Sequence, residues 1–400
     1  MNKNFFQKLL ICFSIAAPGW VLANDVILFQ PIQGGEKSND TLKSIPPIAQ
    51  WPEWCGVKII IEKPSDAIRK TSVPGYYTLI DGQRLAGAYE LNGTKLMWRN
   101  TILQSVPIDL ENSKSIGALN AGKENIEKKD SVVLINNDRL DGFIESIDID
   151  RGVGIETTTS SQTPQKQMIY IPIDRIVDIS LVAKSKKPSG WRIWTNDGSV
   201  IDADSWIDDQ NQCRLIKPHA AIERDSALIP WKNILAIAPN TNGIEALSKC
   251  FIKAEADTQI QEQRLSQPVV ILHTTPEAFD AIRMDLHGPG LFLFQTNRSA
   301  GTLLATISVP PQIQKNIGCR VTILNDEKVV WESFITPEFK RTSVRLQMNG
   351  GQILFRLDQS IHGAFGCAVR LDDAIIVSDT HEMSQPPNHL QPNAPTKSDL

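Results

Sequence analysis

The chain has 400 residues, of which 41% are hydrophobic and 22% charged, with a formal net charge of −4. That balance fits a globular protein of roughly two to four domains. It excludes the basic field that a nucleic-acid binder shows, and after the N-terminal segment no apolar run is long enough for a bilayer-crossing helix.

The N-terminus carries the clearest local signal. Lys3 and Lys8 precede an apolar stretch from Leu9 to Ala23, which closes on Val21-Leu22-Ala23. Positive n-region, short apolar core and small residue at the end are the marks of a cleaved export signal. Residues 1–23 are therefore expected to be removed, leaving a secreted or cell-envelope protein (extracellular or periplasmic). Of six cysteines, Cys12 leaves with the signal, so Cys55, Cys213, Cys250, Cys319 and Cys367 remain. Five is odd, and none has the Cys-x-x-Cys spacing of a zinc or redox site. Either Cys319 and Cys367 form a bridge or the thiols stay buried and reduced. Residues 24–55 read as a poorly ordered lead-in.

An internal repeat follows, expected at 56–128, 129–187 and 188–240. Its aligned pieces are Leu79-Ile80-Asp81-Gly82-Gln83-Arg84-Leu85-Ala86-Gly87, Leu134-Ile135-Asn136-Asn137-Asp138-Arg139-Leu140-Asp141-Gly142 and Thr195-Asn196-Asp197-Gly198-Ser199-Val200-Ile201-Asp202-Ala203. Each predicts a strand, a tight polar turn accepting positive φ, and a second strand. The small residue at Gly87, Gly142 or Ala203 predicts a bulge or sharp bend. The ends also match: Val106-Pro107-Ile108, Ile171-Pro172-Ile173 and Ile229-Pro230-Trp231. A proline lacks the ladder N–H and belongs at a strand start or edge. The unit has the size of a small bent sheet or half-open barrel. It resembles Sm-like barrels, without the RNA-binding residues of that family, and the Lys184-Ser185-Lys186-Lys187 run reads as a solvated loop.

Residues 241–267, rich in Ala, Glu and Gln, predict a linker with a short helix. From 268 to 377, strand-like runs recur at short intervals between polar turns, the pattern of a β-sandwich. The tail, 378–400, is rich in Pro, Asn, Ser and Gln and reads as disordered. The fold class expected is all-β: tandem bent-sheet repeats followed by a C-terminal sandwich of jelly-roll type.

Four features of the C-terminal part carry a family resemblance. They are the turn His287-Gly288-Pro289-Gly290, the run Leu304-Ala305-Thr306-Ile307, the segment Asn325-Asp326-Glu327-Lys328-Val329-Val330-Trp331-Glu332-Ser333, and the acidic close Leu371-Asp372-Asp373-Ala374-Ile375. In that order they resemble the NPCBM/NEW2 type of carbohydrate-binding module, a galactose-binding-like jelly roll of bacterial secreted proteins. The resemblance spans about a quarter of the chain and implies glycan as the ligand. Leu371 stands where the family has an aromatic residue.

Sugar sites use flat aromatic faces, so Trp191, Trp194 and Trp206 are candidate ligand contacts, with His287 in its turn as a fourth. Filling small barrel cores is the competing role for the tryptophans. Asp148 and Asp150 share one strand face and could hold a calcium ion, which takes several oxygen ligands, but no metal or cofactor is expected. A hydrolase needs two carboxylates across a cleft, which the adjacent acids Asp202 and Asp204, Asp208-Asp209 and Asp372-Asp373 do not establish. No nucleophile elbow, phosphate loop or dinucleotide fingerprint is present. The sequence thus points to a non-catalytic binding protein, its sandwich contacting glycan and its repeats acting as spacers or protein contacts. The alternatives are an assembly protein without glycan binding and, with least support, a glycan-acting hydrolase.

Overall fold

The structure is a computed structural model that describes residues 26–33, 41–45, 55–61, 75–92, 95–117, 129–148, 150–158, 166–209, 211–220, 224–240, 243–256, 267–273, 277–313, 318–336, 338, 341–358 and 367–378. The expected export signal and all of the tail after Ser378 lie outside these residues. Within them the chain forms only strands and short 3-10 turns, as an all-β reading requires.

Residues expected to be a disordered lead-in instead supply the first strand. β1 (Ile27–Ile32) pairs antiparallel with β2 (Gly56–Ile61), and the hairpin buries Phe29, Ile32, Val57 and Ile59. Phe29 meets the Trp231 ring edge-on at 5.6 Å. The partner strand is remote in sequence, so no local turn signal announced the pairing.

Three successive sets of five strands share one topology. Copy one comprises β3 (Gly75–Leu79), β4 (Arg84–Asn92), β5 (Lys95–Asn100), β6 (Gln104–Pro107) and β7 (Ser113–Gly117). Copy two comprises β8 (Asp130–Leu134), β9 (Arg139–Asp148), β10 (Gly152–Thr158), β11 (Lys166–Ile171) and β12 (Ile176–Ser180). Copy three comprises β13 (Trp191–Thr195), β14 (Val200–Asp209), β15 (Gln212–Pro218), β16 (Ser226–Pro230) and β17 (Ile234–Pro239). In each, the first four strands form a meander. A 3-10 turn then returns the last strand to the first, β7 to β3, β12 to β8 and β17 to β13.

The first turn of each copy is built identically. The amide of Gly82, Asn137 or Gly198 donates to the carbonyl of Leu79, Leu134 or Thr195, and all three residues have positive φ. The preceding side chain (Asp81, Asn136 or Asp197) accepts from the next amide at 3.0, 3.1 and 2.9 Å. These Asx turns explain the Asp/Asn pattern in physical terms. The small residue in the second strand has an equally direct cause. A Cβ on Gly87 would sit 2.1 Å from the Arg99 carbonyl oxygen, and one on Gly142 would sit 2.3 Å from that of Glu156.

Copies one and two fuse through their last strands, β12 carrying β7 on its other edge with Ile179 opposite Ile116. Copy three meets copy one where β14 pairs with β4, Val200 opposite Arg84, and its last strand β17 carries β2 of the hairpin, with Ile237 opposite Val57. Open edges of small sheets are thereby covered.

The C-terminal body is a two-sheet sandwich made of β18 (Ile244–Ala246), β19 (Phe251–Glu255), β20 (Val269–Leu272), β21 (Met284–His287), β22 (Gly290–Gln295), β23 (Gly301–Ser308), β24 (Cys319–Asn325), β25 (Lys328–Ile335), β26 (Thr342–Met348), β27 (Gln352–Asp358) and β28 (Ala368–Ser378). One sheet runs β20-β21-β28-β23-β26, with β18 also on β28; the other runs β19-β22-β27-β24-β25. Between them lie Phe292, Phe294, Leu303, Ile323, Phe355 and Leu371, all fully buried.

Of the short helix expected in 241–267, the described part of that segment holds one 3-10 turn, Leu247–Cys250, between two strands. β18 and β19 join the two sheets, and Leu247 and Cys250 are buried on the 3-10 turn between them. Tertiary burial overrides the mild helix preference of the Ala- and Glu-rich sequence. A separate apolar cluster ties the sandwich to repeat three and the hairpin. It contains Ile32, Trp194, Ala236, Phe279 and Ile375.

Candidate functional site

A groove of about 250 Å³ lies where the β1–β2 hairpin meets the outer face of the sandwich. Its polar lining comes from Gln30 and Lys58 on the hairpin and from Thr306, Ser343, Arg345 and Asp373 on the sandwich. Its floor is apolar, formed by Ile32, Phe279, Leu304 and Ile375. Two local distortions shape it.

The first is in β28. Opposite β23 the register slips, with Leu304 facing Ile375 but Thr306 facing Asp372. The extra residue makes a bulge, a device that re-aims a side chain. Asp373 sits there with φ 51°, and its carboxylate receives the Lys58 ammonium from β2. The second distortion is the turn before β21, where Phe279 and Asp280 have φ 59° and 58°. Trp194 holds this turn from repeat three: its indole N–H donates to Asp280 at 3.0 Å and its ring meets Phe279 at 5.2 Å. Non-glycine residues in the left-handed region carry strain on the order of 1–3 kcal/mol each and gather at ligand clamps and active sites.

Paired charges join β28 to β21 and to the turn that precedes it. Arg283 donates to Asp372 at 2.5 Å and lies 3.4 Å from Glu277. Burial, with Asp373 adding to it, raises the Glu277 carboxyl to about 7, and its Oε2 is buried with no hydrogen-bond partner. Further along, Arg370 makes two bonds to Asp285, from Nε at 2.7 Å and Nη2 at 2.8 Å. His273 and Gln312 reach Asp285 at 2.9 and 3.2 Å. Burial works to raise Asp285, but the Arg370, His273 and Gln312 contacts prevail and hold it at about 2.

Two of the three tryptophans expected to offer flat faces are buried. Trp206 is 1% exposed and Trp194 7%. Trp191, half-buried, meets Trp206 at 5.9 Å, and Trp206 meets Trp231 at 5.9 Å. Trp206 and Trp231 lie in the core of repeat three beside Ile193, Ile201, Leu215 and Ile229, and Trp191 packs against it. Among the described residues the exposed aromatic rings are Phe143, Tyr170 and Phe334. Trp194 does bear on the groove, through Asp280 and Phe279. His287 lies two positions from Asp285 on the same strand face; its Nε2 is buried with no partner. Lys58, Glu277, Asp285 and Arg370 were not singled out from sequence. Of the groove's lining, Leu304, Ala305, Thr306, Asp373 and Ile375 were visible there, as parts of the resemblance.

Among the described residues no group of three or more His, Cys, Asp or Glu side chains is placed to hold a metal ion. No helix there is long and apolar enough to cross a membrane.

Fold and groove define an all-β protein in which three fused barrel-like repeats and a two-sheet module frame a polar inter-module groove. No family model matches the chain, and no curated protein matches it in sequence. Among solved structures it is similar to a CBM51 module from Clostridium perfringens GH95 in complex with methyl-galactose, at 9% identity and TM-score 0.26, covering 34% of this chain and 99% of that one. It is also similar to the tandem CBM51 modules of the family 98 glycoside hydrolase from Streptococcus pneumoniae SP3-BS71, at 9% identity and TM-score 0.27, covering 73% and 88%. A third is CBM51-2 in complex with GlcNAc and INT domains of Clostridium perfringens ZmpB, at 8% identity and TM-score 0.28, of which the chain covers 45%. Likenesses this distant carry no weight in assigning a ligand.

Proposed function

We propose that the chain is an exported, non-catalytic binding protein that holds a glycan in the groove between the β1–β2 hairpin and the C-terminal sandwich. The observation that supports this most is the lining itself. Sugars need hydrogen-bond donors and acceptors at set positions and an apolar wall for their C–H face. Thr306, Ser343, Gln30 and the Lys58–Asp373 pair offer the former, and Phe279, Leu304 and Ile32 the latter. Convergent polar groups around an apolar floor at a module interface are the usual form of a small-ligand site. The repeats serve as the rigid frame that presents the hairpin. Asp373 is the one carboxylate among the described lining residues, which speaks against a two-carboxylate hydrolase.

The test is a glycan array with the full chain, followed by calorimetry on the hits. Saturable binding is expected, falling at least tenfold in Lys58→Ala and Asp373→Ala chains that remain folded. A flat array, or a hit that both variants leave unchanged, refutes the assignment. A second reading, assembly through sheet edges, draws on β20. It is a terminal strand of its sheet, and Val269, Ile271 and Leu272 on it are exposed, the form that invites an added strand. A flat array together with self-association abolished by Ile271→Lys would favour it.

A further inference from the structure

Cys319 opens β24 in one sheet of the sandwich, and Cys367 immediately precedes β28 in the other. Both side chains are buried in the same apolar core. Their sulfurs are 2.9 Å apart, less than 1 Å beyond a covalent S–S bond of about 2.05 Å. Both thiols also turn to one acceptor, the carbonyl of Asp358 at the end of β27, at 3.5 and 3.1 Å. One carbonyl thus serves two donors, and each sulfur's nearest polar neighbour is the other sulfur. Gly288 donates its amide to the Cys367 carbonyl at 2.7 Å, so the backbone that presents Cys367 is itself anchored to the end of β21.

We propose that Cys319 and Cys367 are a site of oxidative modification, forming a disulfide that bolts the two sheets together at one end of the sandwich. The oxidant is a second disulfide, of a small thiol compound or an oxidoreductase. One cysteine thiolate attacks it and forms a mixed disulfide. The other cysteine then displaces the attached thiol. The chain gives up two protons and two electrons and gains one S–S bond, while the oxidant loses its S–S bond and leaves as two thiols. Burial seals the native pair from solvent, so exchange takes place on the folding chain, before the sheets close.

The reduced, denatured full-length chain is refolded in oxidised and reduced glutathione, and separately in reductant alone. Thiols are counted after denaturation. Oxidative refolding should lower the count by two and yield one linked peptide pair, carrying Cys319 and Cys367. The oxidised chain should melt above its reduced form by on the order of 10 °C. Cys319→Ser and Cys367→Ser should each abolish the linked pair, and the double variant should melt at one temperature with or without reductant. The proposal is overturned if the chain refolded in oxidised and reduced glutathione regains its native circular dichroism with a full thiol count, or if the linked peptides join other cysteines. It is also overturned if the double variant keeps the redox-dependent shift.

Discussion

Asp285→Asn tests the paired charges that join β21 to β28. The wild-type carboxyl lies at about 2 instead of 3.8, a native preference for the ionised form worth roughly 2.5 kcal/mol. An amide keeps the shape but turns a donor toward Arg370, whose side chain is only 13% exposed and would lose its counter-charge. Breaking a buried pair from one side costs about 3–5 kcal/mol, so a loss of about 2.5–4 kcal/mol is expected at pH 7. The pH dependence follows from the sign. A carboxyl held below its unfolded value stabilises the native state fully above about 3.8, and that contribution disappears as the pH falls through about 2. The gap between wild type and variant should be constant from pH 7 to about 4.5 and narrow below it. Hydrogen exchange of the β21 and β28 amides in increasing urea measures this in the sandwich separately from the repeats. A gap under about 1 kcal/mol at pH 7, or one that persists undiminished at pH 2, refutes the reasoning.

Glu277→Gln should act in the opposite direction. Burial raises the Glu277 carboxyl to about 7 from 4.5, so the native state retains a proton that the unfolded chain has lost, and wild-type stability falls as pH rises between those values. The glutamine variant should be more stable by on the order of 2 kcal/mol at pH 8 and nearly equal at pH 4, as read by urea midpoints. Gly142→Ala should destabilise repeat two by about 1–3 kcal/mol, because its Cβ has no room beside the Glu156 carbonyl. Faster exchange confined to the β9 and β10 amides is the readout, and protection equal to wild type would contradict the close approach.

Much of the repeat was legible because its signals are local. A turn such as Asp81-Gly82 or Asp197-Gly198 is closed by its own side chain and by an amide–carbonyl bond spanning three residues, so the residues that specify it are adjacent in sequence. The alternating runs after 268 carried the sandwich for the same reason. The tryptophans were harder: residue type says that a ring is large and amphipathic, not which neighbour covers it. Phe29 on β1, Trp206 on β14 and Trp231 on the 3-10 turn before β17 come together only in the fold.

What the sequence determined by itself is the all-β class, the three Asx turns and the acidic close at Asp372-Asp373, each written within a few residues. Only the tertiary structure decided the groove. Lys58 and Asp373 are 315 positions apart, and neither is distinctive in its own segment. Their meeting depends on β2 adding to β17 and on a bulge in β28, and long-range pairing of that kind leaves no periodicity to read in either strand alone.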